Sequence, residues 1–288
     1  MRVMTAASQS GAVDLAACLR VAEDAAREAG RIVCEALAER RAGEPASTTI
    51  APPEAAGVEE KKNWADLVTA SDRECERVVV AAIRKAFPDH AIVGEEETAA
   101  NGGVIPEITD EPTWCVDPID GTTNFVHGFP FVCVCIGLLV KQTPVVGVVF
   151  NPMLGECFTA RVGQGAKLNG APIRVSSTPN LKQAVVGAEF GIARDGPSLD
   201  ATFRSIGAVL SRCRAVRMAG SCACAITSVA CGRLDAFYER GYGGPWDVCA
   251  ALCILTEAGG IHARPWPDDQ RPFAFAGDDR ENAILACW

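Results

Sequence analysis

Trp114-Cys-Val-Asp-Pro-Ile-Asp-Gly-Thr-Thr-Asn124 decides how this chain folds, because an apolar strand runs unbroken into a turn that carries two carboxylates. Pro118 fixes the backbone at the turn, and Gly121 supplies a conformation that other residues resist. Asp, Pro and Gly together are ordinary turn formers. The surroundings are less ordinary. Trp114-Cys115-Val116 leads straight into Asp117, and Phe125-Val126 follows, so this acidic turn is flanked by core residues.

Two further acidic segments fall where one kind of element gives way to another. Gly94-Glu95-Glu96-Glu97 follows the short apolar run Ala91-Ile-Val93, and Trp246-Asp247 opens an apolar run from Val248 to Leu255. An Asp at a helix start commonly caps it, and a Glu run is commonly a solvated face. Strand ends in an α/β sheet, however, converge on one crevice. Two carboxylates about 4 Å apart there repel by roughly 4 kcal/mol at an effective dielectric near 20. Several such pairs would consume a folding stability of about 5–15 kcal/mol. Bound divalent cations remove the conflict. All-oxygen donors select Mg²⁺, or Mn²⁺, over zinc. The D-x-[DN]-x-[DN]-G pattern of an EF-hand calcium loop is absent. In Asp117-x-x-Asp120 the turn lets both carboxylates and one main-chain carbonyl face a common point, and the N–H groups from Gly121 to Thr123 can receive an anion.

The rest of the chain supplies alternating helices and strands. Residues 13–39 carry Leu15, Cys18, Val21, Ala22, Ala25, Ala29, Ile32 and Ala36 at helical spacing. A Pro/Gly/Ser/Thr-rich stretch over 41–60 reads as a surface loop. Ser71 with Glu74 reads as a capping box opening a helix over 72–87. Residues 131–140 and 144–150 read as a hairpin, followed by a strand over 155–160. Beyond it, strands are expected at 184–189, 233–239, 260–264 and 282–287, and helices at 198–212, 221–231 and 246–258, the last closed by Gly259-Gly260. Helices interleaved with strands imply a layered α/β (α+β) sandwich. It divides into an N-terminal α+β half, 1–150, with most of the acidic residues, and a C-terminal α/β half, 151–288, with Asp247.

Composition narrows the functions. The chain has 288 residues and a formal net charge of −9, which excludes a nucleic-acid or anionic-membrane surface. Residues 131–149, the most apolar stretch, are broken by Lys141, Gln142 and Pro144, so no membrane span is expected. Residues 1–11 lack the apolar core of a secretion signal. The 14 cysteines include no C-x-x-C pair, and the three histidines lie far apart, so reduced core thiols in a cytoplasmic protein are expected rather than zinc ligands. Lys61, a lysine in a loop, reads as a solvated charge, and His127 and the Cys222 thiol read as structural.

The blocks 117–130 (Asp-Pro-Ile-Asp-Gly-Thr-Thr-Asn-Phe-Val-His-Gly-Phe-Pro) and 246–260 (Trp-Asp-Val-Cys-Ala-Ala-Leu-Cys-Ile-Leu-Thr-Glu-Ala-Gly-Gly) resemble the two signatures of the inositol monophosphatase family. Glu95-Glu96 after Ile-Val-Gly, and Asp66-Leu-Val-Thr-Ala-Ser-Asp72, resemble its remaining blocks, in the same order. The resemblance implies a five-layered α-β-α-β-α sandwich, commonly a homodimer, and a lithium-sensitive, Mg²⁺-dependent phosphomonoesterase with two or three ions per site. Carried over by position, Glu95, Asp117, Ile119 (through its carbonyl), Asp120 and Asp247 would bind metal. Glu95 and Thr122 would orient the attacking water, with Asp72 bonded to Thr122. Gly121 and Thr122 would hold the phosphate. Gly220, Ser221, Cys222 and Glu239 would contact hydroxyls of a small sugar or polyol phosphate.

Inositol monophosphate is the expected substrate. Histidinol phosphate, fructose bisphosphate and a 3′-phosphonucleotide are the alternatives within the superfamily. An aspartyl-phosphate mechanism would need Asp-x-Asp, and Asp117-x-x-Asp120 is spaced differently. A non-catalytic metal- or phosphate-binding regulator would be expected to have lost acidic residues, whereas all four positions are filled. Between Glu239 and Asp247 the run reads one residue longer than in the family, which bears on the placing of Glu239.

Overall fold

The computed structural model describes residues 13–42, 58–61, 67–263 and 283–287. In chain order the elements are α1 (Leu15–Ala42), β1 (Glu59–Glu60), β2 (Leu67–Val68), α2 (Ala70–Ala86), β3 (Ala91–Gly94), α3 (Glu95–Ala100), β4 (Thr113–Asp120), α4 (Thr122–His127), β5 (Cys133–Val140), β6 (Thr143–Asn151), β7 (Glu156–Arg161), β8 (Ala166–Leu168) and β9 (Ala171–Pro172). They continue with β10 (Val185–Glu189), α5 (Gly196–Leu210), β11 (Ala215–Arg217), α6 (Cys222–Ala230), β12 (Ala236–Arg240), α7 (Pro245–Glu257), β13 (Ile261–Ala263) and β14 (Ala283–Cys287). Of the loop expected over 41–60, residues 43–57 lie outside the described residues, as does Asp66.

Two sheets organise the chain. A seven-stranded sheet runs β3-β4-β5-β6-β7-β8-β9, with β3 and β4 parallel and every later pair antiparallel. It passes through residue 150, where the two expected halves meet, and ends at Pro172. A five-stranded sheet runs β11-β10-β12-β14-β13. Helices α1 and α2 cover the outer face of the first sheet, α6 and α7 lie between the sheets, and α5 packs outside the second. This is the expected α-β-α-β-α layering.

Sandwiching between helices explains the unbroken apolar runs. Along β5, Val134, Ile136 and Leu138 pack towards α1 and α2, among Ala22, Ala29, Val33, Val79 and Ile83. Cys133 and Cys135 face the opposite way, towards α6 and α7. A strand buried on both faces has no polar alternation to show. The hairpin from β5 to β6 turns on Lys141 and Gln142, both with positive φ (50° and 58°), as a two-residue type I′ turn requires.

The cap of α2 differs from expectation. Thr69, not Ser71, is the N-cap, and the carboxylate of Asp72 answers it: Asp72 Oδ2 accepts from Thr69 N at 2.9 Å and from Thr69 Oγ1 at 2.5 Å. Glu74 instead pairs with Arg77 on the surface. Two acceptors stood near this helix start, and the buried one took the role because its desolvated oxygen needs the donors more. Strand β11, the β8–β9 hairpin and the short helix α3 had no expectation from sequence; each is brief and set by tertiary contacts.

Helix α7 sits unusually close to the first sheet. Gly137 of β5 and Gly147 of β6 are cross-strand partners. A Cβ on Gly137 would lie 2.5 Å from Cys249 Sγ and 2.7 Å from Ala250 N, and one on Gly147 would overlap the Ala250 carbonyl. Gly147→Ala is therefore expected to push α7 outward and cost about 1–3 kcal/mol, read as a lower urea midpoint at unchanged m-value. A midpoint equal to wild type would show that the helix is not seated there.

Candidate active site

Five element ends converge on one cavity of about 730 Å³ between the sheets. Glu95 opens α3, Asp117 and Asp120 end β4, Asp247 sits in the first turn of α7, and Glu189 and Glu239 lie at the ends of the paired strands β10 and β12. Those six carboxylates line the cavity together with Ile119, Gly121, Thr122, Gly220, Ser221 and Cys222; the basic side chains on its wall are Lys61, Arg194 and His127. Every residue expected at the site therefore borders one space, except Asp72, which lies beneath it and touches it through Thr122.

The pairing of β4 with β5 shows how Asp117 and Asp120 come to flank one point. Asp117 pairs with Cys135 and Asp120 with Cys133, so three steps on β4 match two on β5. The extra residue makes a bulge, which bends a strand and re-aims its side chains. Past it, Gly121 has φ +92°, and a Cβ there would lie 2.9 Å from the Phe131 carbonyl and 3.1 Å from that of Gly220. Only glycine suits the conformation and the space.

Four of the acidic side chains have one side tied to main chain, Asp117 through its Oδ1, which accepts from Ile119 N at 3.0 Å. Asp120 Oδ2 accepts from Ser221 Oγ at 2.6 Å and from Ala223 N at 2.7 Å, binding β4 to the start of α6. Asp247 Oδ2 accepts from Gly243 N at 2.5 Å and Gly244 N at 3.3 Å. Glu189 Oε1 accepts from Ala219 N (2.7 Å) and Gly220 N (2.8 Å), fixing the loop that precedes α6. Thr122 Oγ1 has two acceptors within reach, Asp72 Oδ1 at 3.2 Å and the Ile119 carbonyl at 3.1 Å. One hydroxyl proton serves one of them at a time.

Glu76 and Asn124 are positioning residues that sequence reading missed. Glu76 accepts from the amides of Glu96 and Glu97, each at 2.8 Å, and so holds the start of α3 and with it Glu95. A signal existed: Asp72 and Glu76 stand four apart on the α2 face that buries Cys75, Val79 and Ile83. Asn124 Nδ2 donates to the carbonyls of Phe131 (2.8 Å) and Ala219 (2.6 Å), clamping two loops at the cavity wall. Lys61 is not a solvated charge. Its Nζ lies 2.8 Å from Glu95 Oε1 and 2.6 Å from Glu96 Oε1. Cys222 and Glu239 both lie at the cavity wall. Despite the longer run before Asp247, Glu239 reaches the cavity; its Oε2 is buried without a partner among the described residues.

The electrostatics are those of an unneutralised acidic centre. Burial, and then the charges of Glu95, Asp120 and Asp247, hold the Asp117 carboxyl well above its ordinary range. Glu95, Asp120, Asp247 and Glu239 are raised as well, burial being the largest cause for each. Burial pulls the Lys61 ammonium down, but Glu95 and Glu96 outweigh it and hold it charged. One lysine does not balance so many carboxylates. A donor set of buried oxygens with this surplus of charge fits hard divalent cations, with Glu95, Asp117, Asp120, Asp247 and the Ile119 carbonyl as the groups to hold them.

A carboxyl group with a raised pKa binds more protons folded than unfolded, so its contribution to stability is present at low pH and lost as pH rises through the folded value. Burial pushes Asp72 from 3.8 to about 6 and Glu76 from 4.5 to about 7. With a chelator present, Tm is therefore expected to fall as pH rises from about 4.5 to about 7, and Mg²⁺, by offsetting the neighbouring carboxylate charges, to make that fall shallower. A Tm that rises with pH across this window would contradict the crowding of these groups.

The model of the inositol monophosphatase family matches residues 14–277. Inositol monophosphatase 2 of Solanum lycopersicum is 54% identical over 206 residues, 72% of this chain and 77% of that protein. Inositol monophosphatase 3 of the same plant is 47% identical over 254 residues, 88% and 87% of the two chains. Among solved structures, inositol monophosphatase from Anabaena (Nostoc) sp. PCC 7120 superposes with a TM-score of 0.74 at 32% identity, covering 96% of this chain and 92% of that one.

Proposed function

Since the chain belongs to the inositol monophosphatase family and is a phosphatase, we propose that it hydrolyses inositol monophosphate to inositol and inorganic phosphate at the carboxylate-lined cavity, with Mg²⁺ as the working cation. The observation that carries this reading is the meeting of Glu95, Asp117, Asp120 and Asp247, each raised by burial, around one cavity beside a tethered threonine hydroxyl. The donor set supports Mg²⁺ over a thiophilic metal at this cavity. When bound, such cations supply charge neutralisation and Lewis acidity towards a phosphoryl group.

The remaining chemistry belongs to the chain. With its proton on Asp72, the Thr122 hydroxyl keeps lone pairs free to accept from a water molecule, and Glu95 offers a second acceptor. Together they would hold that water in line with the phosphorus. The amides of Gly121 and Thr122 would orient the phosphate oxygens. No protein nucleophile enters the scheme. The unpartnered Glu239 Oε2 favours a substrate rich in hydroxyl donors, as a polyol is, because a hydroxyl there would satisfy a buried acceptor. Gly220, Ser221 and Cys222 border the same part of the cavity.

No helix of the described residues is long and apolar enough to cross a membrane. The 13 cysteines from Cys18 to Cys253 are free, which supports a reducing compartment.

Phosphate release from inositol 1-phosphate, histidinol phosphate, fructose 1,6-bisphosphate and a 3′-phosphonucleotide tests the reading, and inositol 1-phosphate is expected to give the highest kcat/KM. Asp117→Asn is expected to abolish Mg²⁺-dependent hydrolysis. Thr122→Ala should lower kcat by about 10²–10⁴-fold, the scale of a lost proton-handling group, with KM little changed and Thr122→Ser restoring most of the loss. Unchanged hydrolysis by Asp117→Asn would end the catalytic reading, and equal rates on all four substrates would end the choice of substrate.

A further inference from the structure

Behind the acidic wall of the cavity lies a group of donors of a different character. On β5, Cys133 and Cys135 project from the same face towards α6, and their sulfurs are 3.7 Å apart. Cys133 Sγ is also 3.7 Å from Asp120 Oδ2 and 3.8 Å from Ser221 Oγ. Cys224, on α6, is buried in the same core cluster. Ligand atoms of Asp120, Cys133 and Cys135 all fall within 4.8 Å of one another, the one such trio of potential metal ligands among the described residues.

These spacings can be set against a tetrahedral zinc centre. With Zn–S near 2.3 Å and Zn–O near 2.0 Å, a tetrahedron places two sulfurs about 3.8 Å apart and a sulfur and an oxygen about 3.5 Å apart. The observed 3.7 Å edges match both within 0.2 Å. Packed thiols also meet at about this distance, so the pointer to a metal is the gathering of two thiols and a carboxylate oxygen within 4.8 Å of one another beside a cavity suited to cations. The Cys115–Cys249 thiol contact, by comparison, lies away from the cavity wall.

We propose that Cys133, Cys135 and Asp120 form a thiophilic-metal site for Zn²⁺ or a cation of similar softness. Binding releases the proton of each coordinating thiol to solvent and needs no oxidant or reductant. Entry is short, because Asp120, Ser221 and Cys222 line the cavity from which a cation would come. Occupancy has a functional consequence. Asp120 would belong to two metal environments at once, a hard one in the cavity and a soft one behind it. Zinc drawn to the thiolates would pull Asp120 Oδ2 from Ser221 and from the start of α6, so the site is inhibitory. This goes beyond the proposed reaction, and the binding part of its test uses no substrate.

Metal-stripped full-length protein titrated with Co²⁺ alone is expected to show thiolate-to-cobalt charge-transfer absorption and intense tetrahedral ligand-field bands. Both should be absent in Cys133→Ala/Cys135→Ala and retained in Cys115→Ala/Cys249→Ala. Loss of outer-shell partners alone lowers metal affinity about 10–100-fold, so the first double variant should bind Zn²⁺ more than about 100-fold more weakly in competition with a chromophoric chelator. Its Mg²⁺-supported hydrolysis should need at least about tenfold more Zn²⁺ for half-inhibition, the lower end of that same range. X-ray absorption on zinc-loaded wild type, which requires no variant to fold, should give at least two sulfurs at about 2.3 Å. An all-oxygen shell, or charge-transfer bands that survive Cys133→Ala/Cys135→Ala, would overturn the proposal.

Discussion

Like charge held out of water is the constraint around which this molecule is built. The carboxylates at the cavity repel one another, and burial removes the solvent that would otherwise damp the repulsion. A side chain under such stress swings away unless something holds it. The aspartates are accordingly moored on one side by main-chain amides or by a hydroxyl: Asp117 by Ile119, Asp120 by Ser221 and Ala223, Asp247 by Gly243 and Gly244, Asp72 by Thr69. All of these but Asp72 also line the cavity. Anchoring and reactivity thus fall to the same carboxylates.

Further supports lie one layer out. Glu76 holds the start of α3, Glu189 holds the loop before α6, and Asn124 joins that loop to the one leading into β5. All three join segments far apart in sequence, so the geometry of the cavity belongs to the whole sandwich. Lys61 adds a charge of opposite sign that reaches in from the segment before β2 and partly offsets Glu95 and Glu96.

Much of this could be read before the fold was seen, and for a physical reason. Long helices, double-buried strands and acidic turns leave local patterns: the spacing of Leu15, Cys18 and Ala22, the run from Cys133 to Val140, and Asp117 with Asp120 around Pro118. What stayed hidden had no local pattern. The choice of Thr69 over Ser71 as cap depended on which acceptor became buried. Strand β11 spans three residues and exists because β10 offers it an edge. The roles of Glu76 and Lys61 depend on helix α3 arriving above them, which no window of sequence contains. Cys133 and Cys135 read as packing residues, and in strand β5 they are; their relation to Asp120 follows only from the bulge that brings it over them.

The glycine pair under α7 has a wider implication. Where Gly137 faces Gly147, the helix rests on bare peptide rather than on side chains. A helix propped on side chains shifts whenever one of them changes size. A helix laid on backbone has its height above the sheet set by covalent dimensions that every sequence shares. The aspartate at its tip is thereby insulated from drift in the surrounding core, and the tolerance this grants to the many apolar positions nearby is bought with intolerance at just two.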